Sequence, residues 1–224
     1  MERSPNSEDF VWLAVSVPIA SFAVPFAREF AESYPFPPPT TVYGMLLSYV
    51  GETNRLQYEG SEILVAVTSL AAPSVILRKT RRVKSTDLNS KENSRPDYQT
   101  LLSGMNFIVG VRDRARSRGD GLDDQIRHAH SHPSAVQRFG GLSCGESHNL
   151  VDTVDLLEWR EIVHRYGDAE VWMLAPDADG EWSVPVWVDH VGSSGTVWAR
   201  ASFRTAPVAI MSKGFVISST SQTA

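Results

Sequence analysis

Cysteine is nearly absent from this sequence, which contains one copy, Cys144, among 224 residues. A single cysteine cannot form an intramolecular disulfide, so the sequence excludes a disulfide-stapled scaffold and a zinc site built on several thiolates. The composition, with 42% hydrophobic and 21% charged residues, is that of an ordinary folded chain. Its length favours one domain, or slightly more, with a sizeable core.

Charge is missing from residues 10–27, a run that approaches the lower limit for a membrane span. Pro18 and Pro25 interrupt this run, and its first half is rich in β-branched and aromatic residues, as buried strands are. The residues before it are mostly acidic, whereas a signal peptide begins with basic residues. We therefore expect a core strand, no membrane association and a cytoplasmic location.

A net positive charge is also lacking: the formal charge is −5, which by itself argues against nucleic-acid binding. The charge is nevertheless segregated. Residues 78–118 contain eleven basic and four acidic residues, a net +7, whereas the rest of the chain contains 10 basic and 22 acidic residues, a net −12. This pattern predicts that one segment attracts and orients a polyanion, with a solvated charge-rich loop as the alternative.

The basic segment has the pattern of a β-ribbon. Residues 74–84 read as a strand whose second half carries basic side chains on both faces, so neither of those faces can be buried. The return strand re-enters the core from Met105 onward, where apolar residues alternate. The sequence thus predicts a long basic ribbon, with Lys91 and Arg95 near its tip.

A short helix is predicted after the proline-rich residues 34–39. Thr40 or Thr41 is placed to cap its N-terminus, and Gly51 is placed to close it in the left-handed conformation. Gly44 lowers the helix propensity, which suggests a close approach by another backbone or by a ligand. Strands flank this helix without regular β-α alternation, so we expect an α+β fold.

Residues 138–148 form a loop rich in glycine and in small hydroxyl side chains. It lacks the Lys-Ser/Thr ending of a P-loop and the context of a dinucleotide fingerprint, so no nucleotide cofactor is expected. Its backbone amides, with Ser143 and Ser147, suit phosphate oxygens, although a tight structural connection is the plainer interpretation.

Cys144 and His148 could form a nucleophile and base. Residues so close in sequence rarely reach the hydrogen-bonding geometry that such a pair needs.

Three histidines, at positions 128, 130 and 132, raise the possibility of a metal site. No carboxylate or cysteine completes a ligand set beside them, and Pro133 ends the helix on which they lie. Solvated histidines are the better interpretation, and we expect no metal.

Two blocks together resemble the CRISPR-associated Cas family five, subunits of the RAMP superfamily in type I Cascade complexes. The first runs from the prolines at 34–39 through the helix to Glu52, and the second is the segment Arg-Phe-Gly-Gly-Leu-Ser-Cys-Gly-Glu-Ser at 138–147. The resemblance extends from about Phe10 to Asp155, and the proline-rich block points to the I-B-like branch.

This resemblance implies a ferredoxin-like, RRM-like domain with a protruding β-hairpin thumb and a glycine-rich loop, which together clamp the five-prime handle of the guide RNA (crRNA). The implied partners are the Cascade backbone subunit, the large subunit and, in the assembled complex, target DNA. The predicted basic ribbon stands where the thumb is expected. We therefore expect an RRM-like domain over residues 1–155, with the thumb inserted at about 78–105 and the glycine-rich loop at 138–148, and a β-rich C-terminal region over residues 156–224.

The predicted function is non-catalytic binding of the crRNA handle, which seeds assembly of the complex without a cofactor. The alternative is a metal-independent endoribonuclease that processes precursor crRNA; one branch of the family uses a Tyr/Lys/His set, of which this sequence offers Tyr43 but no Lys-His pair near the thumb. A third candidate, a Cys144-dependent hydrolase, has no other support.

Tyr43 is the aromatic expected to stack on a base. The predicted RNA-binding residues are Thr41, Tyr43, Gly44, Arg78, Lys79, Arg81, Arg82, Lys84, Lys91, Arg95, Met105, Arg138, Gly140, Gly141, Ser143, Gly145, Ser147 and His148.

Overall fold

The computed structural model describes residues 7–25, 27, 30–81, 84–87, 89–113, 120–167, 169–191 and 194–220. Within these ranges none of the helices combines the length and hydrophobicity needed to cross a bilayer. The described elements are β1 (Val11–Ala20), β2 (Phe30–Ala31), α1 (Pro39–Val50), β3 (Ser61–Ser69), β4 (Ala72–Arg81), β5 (Ser94–Asp113), α2 (Leu122–Ser131), β6 (Thr153–Leu157), α3 (Trp159–Tyr166), β7 (Glu170–Pro176), β8 (Trp182–Trp187), β9 (Val197–Pro207) and β10 (Phe215–Val216).

These strands form one sheet, with the order β6-β1-β5-β3-β7-β9-β8 along its main path. Neighbours on this path are antiparallel. The units β1-α1-β3 and β5-α2-β6 interleave, because β5 lies between β1 and β3 while β6 lies on the other side of β1. Helices combined with a large antiparallel sheet agree with the predicted α+β class.

Alternation along β1 divides its side chains between two cores. Leu13 and Val15 face the larger core, which α1 and α2 cover. Trp12 faces the opposite side, where it packs with Ile108 of β5 and Ile162 of α3. The first half of the uncharged run is therefore a buried strand, as predicted.

Helix α1 begins slightly earlier than the threonines predict. Pro39 is its first helical residue, and no side chain caps the N-terminus. Proline is favoured there because its fixed φ suits a helix and its missing N–H would have no intrahelical partner. The C-terminus is as predicted, with Gly51 left-handed at φ +79°.

Strands β3 and β4 both pair with β5, β3 along its second half and β4 along its first. The pairing of β4 runs from Ala72 opposite Ser103 to Arg81 opposite Ser94. We call β4 together with residues 94–103 of β5 the basic ribbon. Its connecting turn is organised by Asn93, which is 5% exposed and whose amide oxygen accepts hydrogen bonds from the backbone N–H groups of Lys84 and Ser85.

Strands from the C-terminal region extend the same sheet: β7 pairs with β3, β9 with β7, and β8 with β9. Leu174, Phe203 and Ile217 belong to the same core as Leu13. The expected boundary between residues 155 and 156 falls within β6, which pairs with β1. The two expected regions therefore share a sheet and a core.

Candidate nucleic-acid interface

A cleft of about 290 Å³ lies where α1, the glycine-rich loop and the segment after β8 meet. All three predicted binding residues on α1, Thr41, Tyr43 and Gly44, line it together with Ser143 and Gly145 of the loop. The described residues that line it are Thr40, Thr41, Tyr43, Gly44, Met45, Ser48, Arg55, Ser143, Gly145, Val188 and His190. Tertiary packing thus brings together two motifs that are about a hundred residues apart in sequence.

Gly44 leaves the surface of α1 bare at this cleft. It is exposed, and a Cβ atom built on it would meet no atom of the described residues within 4 Å. The sequence allowed two explanations for glycine at this position: close approach by another backbone, or by a ligand. Close approach by this chain's own backbone is wrong. The helix surface at Gly44 is therefore open to an approaching ligand, as the second explanation requires.

The glycine-rich loop is held by backbone hydrogen bonds on both sides of its turn. The Cys144 N–H donates to the Asn149 carbonyl at 3.0 Å, and the Val151 N–H donates to the Leu142 carbonyl at 2.9 Å. Gly145 lies in the left-handed region at φ +97°, and a Cβ there would stand 2.6 Å from the backbone oxygen of Ser21. Glycine is required at this position because the loop passes against the backbone that directly follows β1.

Glu146 joins the loop to the basic ribbon. Its Oε2 accepts a hydrogen bond from Nη1 of Arg78 at 3.2 Å and lies 3.6 Å from Nε2 of His148. Its Oε1 accepts a hydrogen bond from the amide of Gln99, a β5 residue that is 1% exposed and that also donates to Ser21 Oγ. One carboxylate thus connects β4, β5 and the loop, and it sets where Arg78 points.

We expect the pair Arg78 and Glu146 to be energetically coupled. In a double-mutant cycle with Arg78→Met and Glu146→Gln, the free energy of unfolding from denaturant titration should show a coupling of about 1 kcal/mol, because both side chains are only about one-third exposed. The control is the pair Arg127 and Glu158, which lie 3.9 Å apart with side chains 49% and 76% exposed. That pair should show almost no coupling, and equal values for the two cycles would contradict a special role for Glu146.

The other predicted basic and loop residues lie at the surface where the structure describes them. Side chains of Arg81 and Arg95, and the whole of Arg82, lie outside the described residues. Besides Gly44 and Gly145 in the cleft, the exposed members of the predicted set are Lys79, Lys84, Lys91, Arg138, Gly140, Gly141, Ser147 and His148.

Two predicted binding residues are buried, and their assignment to RNA contact is corrected. Tyr43 is 1% exposed, its hydroxyl donates to the Arg55 carbonyl at 2.6 Å, and burial raises the pKa of its phenol. Met105 is 0% exposed, because the return strand re-enters the core at this point. Neither side chain offers a face on which a base could stack.

The hydrolase interpretation of Cys144 is also wrong. Its side chain is 0% exposed, and burial raises the pKa of the thiol to about 12, so the nucleophilic thiolate is disfavoured. Nε2 of His148, the proposed base, lies 3.6 Å from Oε2 of Glu146.

We expect alkylation of the native Cys144 thiol by iodoacetamide to be at least about a hundredfold slower than in denaturant, as followed by mass spectrometry. Equal rates would show that the loop opens freely.

The histidines of α2 have other contacts. The rings of His128 and His132 stack with centroids 4.7 Å apart, and Nδ1 of His130 lies 3.1 Å from the hydroxyl of Tyr49. Within the described ranges, no three histidine, cysteine or acidic side chains are grouped closely enough to hold a metal ion.

Among the lining residues that sequence reasoning missed, Arg55 and His190 have nitrogen-bearing side chains suited to an anionic ligand. Arg55 follows α1 in a loop, donates to the Val188 carbonyl at 2.8 Å and lies over the Trp187 ring at 4.5 Å. His190 lies on the C-terminal side of the same cleft. Neither residue belongs to a motif, so only the packing of the C-terminal strands against α1 could reveal them.

Comparison with known proteins assigns the chain to a class. Residues 10–194 match the family model described as CRISPR-associated protein (Cas_Cas5), beyond the stretch in which the sequence blocks were recognised. CRISPR-associated protein Cas5 from Myxococcus xanthus (strain DK1622) is 36% identical over 188 residues, which cover 82% of this chain and 85% of that protein. The chain is therefore a CRISPR-associated protein, and it belongs to the Cas5 family, as the two blocks indicated.

Solved structures share the fold. A chain titled "CRISPR RNA-guided surveillance complex" aligns with a TM-score of 0.60 at 15% identity, over 89% of this chain and 91% of that one. A second, titled "Crystal structure of Cas protein", aligns with a TM-score of 0.51 at 12% identity, over 92% of this chain and 98% of that one. At these identities the likeness concerns the fold.

Proposed function

We propose that this chain binds the five-prime handle of crRNA as a subunit of a type I CRISPR interference complex and seeds assembly of that complex. The observation that carries the proposal is the continuity of one surface: the ribbon meets the glycine-rich loop at Arg78 and Glu146, and the loop lines the cleft on α1. We further propose that the interleaved β-α-β units are the RRM-like domain of the family, and that the basic ribbon is its thumb.

The chemistry of this surface suits an unpaired RNA strand. Lys79, Lys84 and Lys91 are exposed on the ribbon and its turn, where they can neutralise phosphates. Small hydroxyl side chains and bare glycine backbone line the cleft, where phosphate and ribose oxygens can be bound closely. Outside residues 78–118 the chain carries −12, so the phosphate backbone is repelled from the rest of the surface.

The partners proposed are those that the family implies: a backbone subunit, a large subunit and target DNA in the assembled complex. Within this assignment the C-terminal region has a defined part, because it supplies Val188 and His190 to the cleft. Binding without cleavage is supported by Tyr43, the one residue of the nuclease set found in the sequence, whose hydroxyl is buried against the Arg55 carbonyl.

The proposal is tested by mobility shift with three labelled nucleic acids: the repeat-derived handle RNA, a shuffled RNA of the same length and a duplex DNA. The handle RNA should bind tightest, and its binding should weaken steeply with salt. Equal binding of all three would overturn handle recognition.

Incubation of the protein with precursor crRNA in EDTA should leave the RNA intact, whereas product bands would favour the endoribonuclease.

Gly44→Ala should have opposite effects on stability and on binding. The added methyl group meets nothing within 4 Å and improves helix propensity, so the free energy of unfolding should rise by about 0.5–1 kcal/mol. The same methyl group should keep RNA away from the helix backbone and weaken handle binding severalfold, as measured by fluorescence anisotropy. A more stable variant with unchanged affinity would show that RNA does not approach α1 at Gly44.

A further inference from the structure

Phe139, in the glycine-rich loop, is the most exposed of the large hydrophobic side chains that the structure describes, with a relative exposure of 106%. Tyr43, the aromatic residue expected to contact a base, is buried at 1%. A fully hydrated phenyl ring gains free energy from any flat apolar partner that covers it. The loop therefore presents an exposed aromatic face to solvent.

The position of this ring is set by anchors on both sides. On one side Gln137 packs against the end of α1, where a Cβ at Gly51 would lie 2.7 Å from the Gln137 carbonyl oxygen. On the other side Leu142 accepts the hydrogen bond from Val151 at 2.9 Å. The exposed span of residues 138–141 is thus held at both ends, which reduces the conformational entropy that a ligand must remove on binding.

The surroundings of Phe139 match a nucleotide. Arg138 is exposed beside it, and no acidic residue occurs from Arg138 to Gly145. Burial raises the pKa of the Tyr49 phenol on α1, and Arg138 lies close enough to oppose that rise. Gly140 has nothing within 4 Å of its Cβ position, which leaves room for a sugar next to the ring.

We propose that Phe139 is a stacking platform for one unpaired nucleobase of the bound RNA. A base offers the flat aromatic partner that the exposed ring lacks, and Arg138, the preceding residue, is exposed and provides a positive charge for the adjoining phosphate. This role rests on the proposed RNA-binding function and adds a base-contacting position that the glycine-rich motif does not reveal. The competing occupant is an apolar pocket on a neighbouring protein subunit.

The test uses a series of handle RNAs, each with 2-aminopurine at one position, titrated with the full-length chain. Wild-type protein should quench one position by stacking. Phe139→Leu, which keeps an apolar side chain but no π-face, should lose that quenching and bind about 5- to 100-fold more weakly, whereas Phe139→Tyr should bind within about twofold of wild type. Ile210→Ala removes another exposed apolar side chain, 59% exposed and outside the cleft lining, and should change nothing.

The outcomes separate this inference from the function on which it rests. If wild type does not bind the handle RNA, the proposed function fails and the stacking role fails with it. If wild type binds but Phe139→Leu binds equally well with the same quenching pattern, only the stacking role is overturned. If Phe139→Leu keeps RNA affinity but loses a protein subunit on co-purification, the ring is a protein contact instead.

Discussion

Replacing Lys79, Lys84 and Lys91 by glutamate is expected to weaken handle-RNA binding at least about a hundredfold at moderate salt, because three phosphate contacts become three repulsions. All three side chains are exposed, so the fold should tolerate the change. If each lysine contacts one phosphate, the slope of log affinity against log salt should also become shallower by about 2. Fluorescence anisotropy over a salt series measures both quantities.

The matched control carries the same change in net charge elsewhere. Arg160, Arg165 and Lys213 are exposed, lie outside the basic ribbon and outside the cleft, and can be replaced together by glutamate. This variant should bind RNA within a few-fold of wild type, because its charges lie outside the proposed binding surface and salt screens their longer-range effect. Similar losses in the two variants would mean that RNA responds to total charge, and the thumb assignment of the ribbon would then be wrong.

Gly145→Ala is the second large effect expected. The residue would have to adopt φ +97°, and its Cβ would stand 2.6 Å from the Ser21 carbonyl oxygen, a backbone atom that cannot move freely. We expect the free energy of unfolding to fall by about 3 kcal/mol, which corresponds to a loss of about 6–12 °C in Tm for a chain of this size. Handle binding should weaken as well, because Gly145 lines the cleft.

Gly140→Ala separates steric contact from backbone strain. Gly140 also has a positive φ, +80°, but its Cβ position is free of atoms within 4 Å. Only the cost of a left-handed alanine remains, about 1 kcal/mol, so Tm should fall by about 2–4 °C. If scanning calorimetry shows the same loss for the two variants, the contact of the loop with the backbone that directly follows β1 does not stabilise the fold.

Much of this protein was predictable from local sequence patterns. The first half of the charge-free run forms strand β1, the helix ends at Gly51, and residues 72–81 pair with residues 94–103 as a ribbon. Such features depend on backbone conformation, on alternation and on which side chains can be buried, and all of these are encoded within a few neighbouring residues. The two sequence blocks likewise indicated the Cas5 family, because each is a contiguous segment.

Other features could not be inferred because they depend on long-range contacts. A tyrosine near a helix N-terminus can face solvent or core, and only the strands that pack on α1 bury Tyr43. The same packing brings Arg55 and His190 to the cleft from segments that no motif connects.

The sequence by itself determined the segregation of charge, the strands and helices that carry the two motifs, and the glycines at the turns. The tertiary structure alone decided that the motifs share one surface, that Glu146 links Arg78 and Gln99, and that Phe139 is the exposed ring. The physical reason is that burial and ion pairing arise between segments far apart in the chain, and their partners exist only once the sheet has formed.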